Sequence, residues 1–211
     1  MVRATKSKRE SISTITEHFY KLKDLRRTGW KQKLEIENAE SVAAHTLLMI
    51  VLILFFSEKY QYSSKKKVRL IEMVLIHDLS ESIIGDITPE TMNENRKRRL
   101  EDKAFSKITE KMSPKNMKKK YLELWHEYQM KKSSDSKFVH LIDKLEMVLQ
   151  ANYYLNHRRG IKPETVRTFF RSALSYLSYG PNSQLPKTSK KNIQDTKDLQ
   201  DIKEILEYFC N

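Results

Sequence analysis

The chain has 211 residues, enough for one domain with a sizeable core, yet only 4 Gly and 5 Pro. Strand-rich folds lean on Gly and Pro for their tight turns, so a β-sandwich or barrel is disfavoured and an all-α chain is expected. With 39% hydrophobic and 32% charged residues the composition excludes a disordered chain, and a lone Cys210 excludes a disulfide framework or a cysteine-built zinc site.

The predicted elements follow in chain order. Ile12, Ile15, Phe19 and Leu22 are spaced for one face of a helix over residues 10–25. Gly29 to Asn38 reads as a loop. A helix from about Glu40 to Lys59, capped by Asn38 or Ser41, carries the most apolar stretch, Val42 to Phe56. That stretch is shorter than the ~20 residues needed to cross a bilayer. It contains His45 and Thr46 and is expected to be buried on nearly all sides. The next helix begins after Ser63 or Ser64, carries Val68, Ile71, Leu75 and Leu79, and runs to Ile84, where Gly85 stops it. Residues 86–92 read as a loop.

Leu100, Ala104, Ile108 and Met112 mark an amphipathic helix over 93–112, and Pro114 opens another carrying Met117, Tyr121, Leu124, Trp125 and Tyr128. Helices follow over 133–157 and 163–179. The segment from Gly180 to Lys191 is turn-rich, and a last helix near 194–209 carries Leu199, Ile202, Ile205 and Leu206. The sum is a bundle of seven or eight helices.

The net charge of +13 comes from 40 Lys+Arg against 27 Asp+Glu. Its runs (Lys65 to Lys67, Arg96 to Arg99, Lys118 to Lys120) are scattered and lack neighbouring aromatics, so they read as solvated surface rather than a base-stacking platform. A nucleic-acid partner is therefore not expected. The charged N-terminus lacks a signal-peptide core, which with the single cysteine points to a cytoplasmic protein with no membrane span.

The informative residues are polar groups inside apolar runs. His45 lies near the start of the most hydrophobic helix, His77-Asp78 closes VLIHD, and Asp143 interrupts FVHLIDKLEMVL. Singly, each has a structural explanation: a core imidazole bonded to a carbonyl, or a carboxylate paired with Lys144. Together, two imidazoles and two carboxylates make a mixed nitrogen and oxygen set suited to a divalent transition metal such as Mn, Co, Fe, Ni or Zn. Glu81, one turn beyond the dyad, stands where an acid or base belongs.

The order His45, His77-Asp78, Asp143 resembles the H…HD…D pattern of the HD-domain metal-dependent phosphohydrolases. ESVAAH, VLIHDLSESIIGDITPE, KFVHLIDKLEMVLQA and the upstream LKDLRRTGW are similar to the HD-domain 5'-deoxynucleotidases. The resemblance covers roughly residues 15–155, within an HD domain over 1–180. Residues 181–211 form a mobile turn-rich segment and a short helix packed on or near it. The resemblance implies an all-α fold, a homodimer, and metal ligands His45, His77, Asp78 and Asp143. It makes Glu81 the catalytic acid or base, and Asp86 a catalytic and substrate-binding residue near the sugar and phosphate. Arg27 resembles the phosphate-binding arginine, with Arg26 adjacent to it, and Trp30 the aromatic residue that places the nucleoside and excludes ribose. The family usually carries a serine and then an acid just before the first ligand; here the run is Ala43-Ala44-His45. His18, His126, His140 and His157 lie outside the pattern and read as core or surface.

The implied activity is hydrolysis of nucleoside 5'-monophosphates, deoxyribonucleotides foremost, to nucleoside and phosphate. Other HD chemistries (triphosphohydrolase, cyclic-nucleotide phosphodiesterase, pyrophosphohydrolase) are the enzymatic alternative. A basic nucleic-acid-binding protein with a vestigial HD site is the alternative of another class.

Overall fold

The computed structural model describes residues 2–179 and 193–210; the turn-rich segment expected over Gly180 to Lys191 lies outside them. All named elements among the described residues are helices: α1 (Val2–Asp24), α2 (Thr28–Leu34), α3 (Val42–Lys59), α4 (Ser64–His77), α5 (Glu81–Ile84), α6 (Glu94–Glu110), α7 (Lys115–Met130), α8 (Ser134–His157), α9 (Pro163–Tyr179) and α10 (Ile193–Cys210). The caps follow local chemistry. The hydroxyls of Ser41, Ser63 and Ser133 and the amide oxygen of Asn93 each accept a backbone N–H from the first turn of α3, α4, α8 and α6. Of the two cap candidates at α3, Ser41 is the one that accepts the first-turn N–H, from Ala44.

Two short helices differ from expectation. The segment expected to be a loop after Gly29 holds α2. The helix expected to run from Ser64 through Ile84 ends at His77, and α5 forms separately. Both differences have one cause. α2 and α5 are too short to nucleate alone and carry too few periodic positions to announce themselves, so tertiary contacts decide them.

The chain divides into two compact units, residues 1–47 with 72–126 and residues 48–71 with 127–211. In the first, α5 packs on α1 and α6. Its core contains Leu22, Trp30, Val74, Leu79, Phe105 and Ile108. Phe105 and Trp125 stack at 4.4 Å, and Trp125 Nε1 donates to Asp102.

In the second unit α8 packs on both α9 and α10. Phe56, Tyr60 and Tyr62 surround Phe138, and the Tyr62 hydroxyl donates to the buried Asp198 on α10 at 2.7 Å. Leu199, Ile202 and Leu206 are buried in this core. The apolar face of α10 is spent on α8 and α9.

α3 also departs from expectation. Val42, His45, Met49, Ile53 and Phe56 face inward, whereas Leu47, Val51, Leu54 and Phe55 are exposed. The helix is buried along one stripe rather than on nearly all sides. It has 18 residues, and by length and composition alone it is apolar enough to cross a membrane.

Candidate metal centre

The first unit assembles most of the residues singled out in the sequence. α4 delivers His77 at its last turn, and Asp78 occupies the turn that follows. The His77 Nδ1 lies 2.6 Å from the Val74 carbonyl oxygen. A carbonyl only accepts, so Nδ1 donates to it and Nε2 is the ring nitrogen turned to the site. That nitrogen lies 3.3 Å from His45 Nε2 and 3.0 Å from Asp78 Oδ2; His45 Nε2 is 3.8 Å from the same oxygen. Both imidazoles are buried. Ligand arms of about 2.1 Å around one cation separate neighbouring donor atoms by roughly 3–3.5 Å. The donor set and its spacing therefore fit a divalent metal, and the carbonyl behind His77 is the outer partner that such ligands need.

Electrostatics agree with the geometry. Burial pushes the Asp78 carboxyl up, but the charge and hydrogen bond of His77, with His45 and Arg27 beyond, hold it well below the usual carboxylate range. Glu81 opens α5 and is buried. Burial pushes its pKa well above the ordinary value, the neighbouring Asp78 and Asp86 push further, and Lys97 and Arg27 oppose them. Two carboxyls three residues apart are thus driven in opposite directions, one to the anion and one to the acid, the separation acid–base catalysis requires. Gly85 ends α5 at φ +80, a region that favours glycine; a Cβ there would meet nothing, so the requirement is conformational only.

Past Gly85, the Asp86 carboxylate accepts the backbone N–H of Thr28, and Thr28 Oγ1 donates to the Asp86 carbonyl at 2.8 Å. Asp86 thereby anchors the start of α2 beside the turn that carries Asp78 and Glu81. Just before α2, Arg26 pairs with Ser41 in an isolated antiparallel bridge. The bridge turns the two arginines apart. Arg26 donates to the Ala39 carbonyl, while Arg27 lies 3.9 Å from Glu40 and its charge reaches both Asp78 and Glu81. Trp30 is buried, and its indole N–H donates to Glu40 Oε1 at 2.8 Å.

Sequence reasoning missed Glu40 and Lys97. Glu40 begins the ESVAAH run, and that position was the available signal. Lys97 sits inside a basic run read as solvated surface, and nothing local distinguishes it from its neighbours. Glu40→Ala is expected to lower stability by about 1–3 kcal/mol, because it leaves the buried Trp30 N–H without its acceptor. A chemical denaturation midpoint equal to wild type would refute that.

Asp143 lies on α8 in the second unit, where its carboxylate stands 3.1 Å from the Lys144 ammonium. Among the histidines outside the pattern, His18 shares a 2.8 Å hydrogen bond with Ser82 of α5, and His126 and His157 are exposed. His140 is buried, stacks on Tyr128 at 4.1 Å and donates from Nε2 to the Tyr128 carbonyl. Burial pushes its pKa down to about 3, with the Lys131 charge adding to the fall. An unfolded histidine takes its proton near pH 6.5, so the chain binds more protons unfolded than folded between there and pH 3. Stability is expected to drop by roughly 3–5 kcal/mol as pH falls through that window. His140→Gln should flatten the corresponding part of the urea-midpoint profile; an unaltered slope would show that other groups carry it.

Comparison with known proteins accords with this architecture. Residues 19–178 match the HD domain family model. The 5'-deoxynucleotidase HDDC2 of Mus musculus is 34% identical over 165 residues, covering 78% of this chain and 79% of that protein. The 5'-deoxynucleotidase hdd1 of Schizosaccharomyces pombe is 35% identical over 156 residues, covering 72% and 76%. Among solved structures, the PH0347 protein of Pyrococcus horikoshii OT3 superposes with a TM-score of 0.67 at 26% identity, over 95% of this chain and 98% of that one. An all-α fold with paired histidines and an adjacent aspartate around one point defines a metal-dependent HD-type protein. This chain belongs to the HD-domain family, and its relatives from Mus musculus and Schizosaccharomyces pombe are named as 5'-deoxynucleotidases.

Proposed function

We propose that the protein is a metal-dependent 5'-nucleotidase that hydrolyses deoxyribonucleoside 5'-monophosphates, in preference to ribonucleotides, to nucleoside and inorganic phosphate. The observation that carries this reading is the meeting of His45 Nε2, His77 Nε2 and Asp78 Oδ2 beside a buried acid, Glu81, that favours its protonated form. The names of the relatives support the substrate class.

In this reading His45, His77, Asp78 and Asp143 hold one divalent transition-metal cation. Asp143 is supported by its place in the H…HD…D order and by its setting in a core helix. When bound, the cation supplies a water acidic enough to attack phosphorus near neutral pH and offsets phosphoryl charge. Arg27 takes two phosphoryl oxygens with its guanidinium fork. Glu81, holding its proton by burial, gives it to the departing 5'-oxygen. Asp86 orients the sugar hydroxyl from the turn it anchors. Trp30, fixed by Glu40, forms the wall that refuses a 2'-hydroxyl. The exposed apolar residues of α3 (Leu47, Val51, Leu54, Phe55) support a homodimer. The single free cysteine supports a cytoplasmic setting.

The test is metal analysis of protein purified without added metal, followed by phosphate release from a panel of deoxy- and ribonucleoside mono-, tri- and cyclic phosphates. Release from deoxynucleoside monophosphates above all others is expected. Turnover confined to triphosphates or cyclic nucleotides moves the assignment to another HD chemistry. Absence of metal and of turnover, with salt-sensitive nucleic-acid binding, overturns the hydrolase reading.

A further inference from the structure

Lys97 enters the site from α6, one helical turn before Glu101. Its Nζ stands 3.7 Å from Glu81 Oε1 and 3.5 Å from Glu101 Oε1. Both separations exceed the ~2.7–3.2 Å of a made N–H···O bond. The ammonium therefore stands between the Glu81 and Glu101 carboxyl groups without spending its three donors on either. Its side chain keeps 27% of its exposure where Glu81 keeps 5%, so it lies on the solvent side of the acid. Burial pushes its pKa down, yet Glu81, Glu101, Asp78 and Asp86 together lift it above the ordinary lysine value, and it remains a cation.

A lysine placed only to pair with these two carboxyl groups would close to contact length on at least one of them, since a charged donor gains most at the shortest distance. Lys97 instead waits at a distance from which a small movement brings it to a third anion. Arg27 is the other cation whose charge reaches both Glu81 and Asp78, and it comes from the opposite end of the unit's sequence. The phosphoryl group of a 5'-monophosphate carries two negative charges near neutral pH, more than one guanidinium offsets.

We propose that Lys97 binds the phosphoryl group of the substrate, donating to a non-bridging oxygen and sharing its charge with Arg27. This rests on the hydrolase reading above and adds to it a residue that no motif marks. Because Lys97 is shared with Glu81, phosphate binding also draws the ammonium off the acid, leaving Glu81 free to face the departing oxygen.

The experiment compares wild type with Lys97→Met, which keeps the apolar stem, and Lys97→Arg, which keeps the charge. Four quantities are read: KM and kcat for a deoxynucleoside monophosphate, the dissociation constant of inorganic phosphate by titration calorimetry, and metal content. A charge-assisted hydrogen bond lost to a phosphate predicts that K97M raises KM and the phosphate Kd together by about tenfold or more, with kcat falling less. Metal content should not change, and K97R should recover most of both constants. A K97M protein that binds phosphate within twofold of wild type overturns the proposal, as does wild-type protein that binds no phosphate. Should K97M fail to fold, Lys97→Gln is read the same way. If wild type releases no phosphate from any deoxynucleotide, the hydrolase reading falls by itself. The phosphate Kd then decides Lys97 alone, a tenfold weakening upholding it and an unchanged value ending it.

Discussion

His77→Ala is expected to cut phosphate release by on the order of 10³-fold or more and to strip metal from the purified protein. The size follows from what the ring does. Its Nδ1–H is committed to the Val74 carbonyl, so Nε2 is the ring atom that faces His45 and Asp78. Removing it deletes one ligand and leaves Asp78 without the neighbour that holds it ionised. Asp78→Ala should match it, because the same oxygen lies within 3.8 Å of both imidazoles. Helix content by circular dichroism should survive in both, since Asp78 sits in a turn and His77 at the last residue of α4. Metal content is measured beside turnover. Unchanged turnover in either variant would remove the metal mechanism.

Glu81→Gln is expected to leave metal bound and slow the reaction by about 10²–10⁴-fold. Glutamine keeps the shape and the contact with α6 but has no proton to give. The wild-type acid is kept protonated first by burial, then by Asp78 and Asp86, against the pull of Lys97 and Arg27. A group active as its acid form works below its pKa. Raising that pKa therefore carries activity to a pH at which an ordinary glutamate has already lost its proton. The wild-type rate should fall on the alkaline side as Glu81 ionises, and E81Q should lose that limb along with most of its rate. A near-normal E81Q rate would place the acid elsewhere.

Much of this was legible in the chain. The longer helices announce themselves because a buried stripe repeats every 3.6 residues, and α6, α8 and α9 begin and end close to where their apolar spacing and caps put them. The ligand candidates were legible because polar residues inside VLIHD and FVHLIDKLEMVL are costly to bury without a reason. Their mutual reach was only partly so. Expecting His77, Asp78 and Glu81 along one continuous helix was incorrect: α4 stops at His77, and the acid starts a new helix. The turn between them lets Asp78 reach back to the imidazoles, which a helical wheel does not describe.

What the amino-acid order determined by itself was the helical class, the cap residues and the residue types able to hold a metal, all of which depend on neighbours within a few positions. Tertiary structure alone decided the rest. It turned Arg27 rather than Arg26 toward the acids, paired Trp30 with Glu40, buried His140 on Tyr128, and brought Lys97 out of a surface-like basic run to Glu81. Each of these depends on which groups far along the chain share a low-dielectric neighbourhood. Charge and burial there act over distances of a few ångströms in space, whatever the separation in sequence.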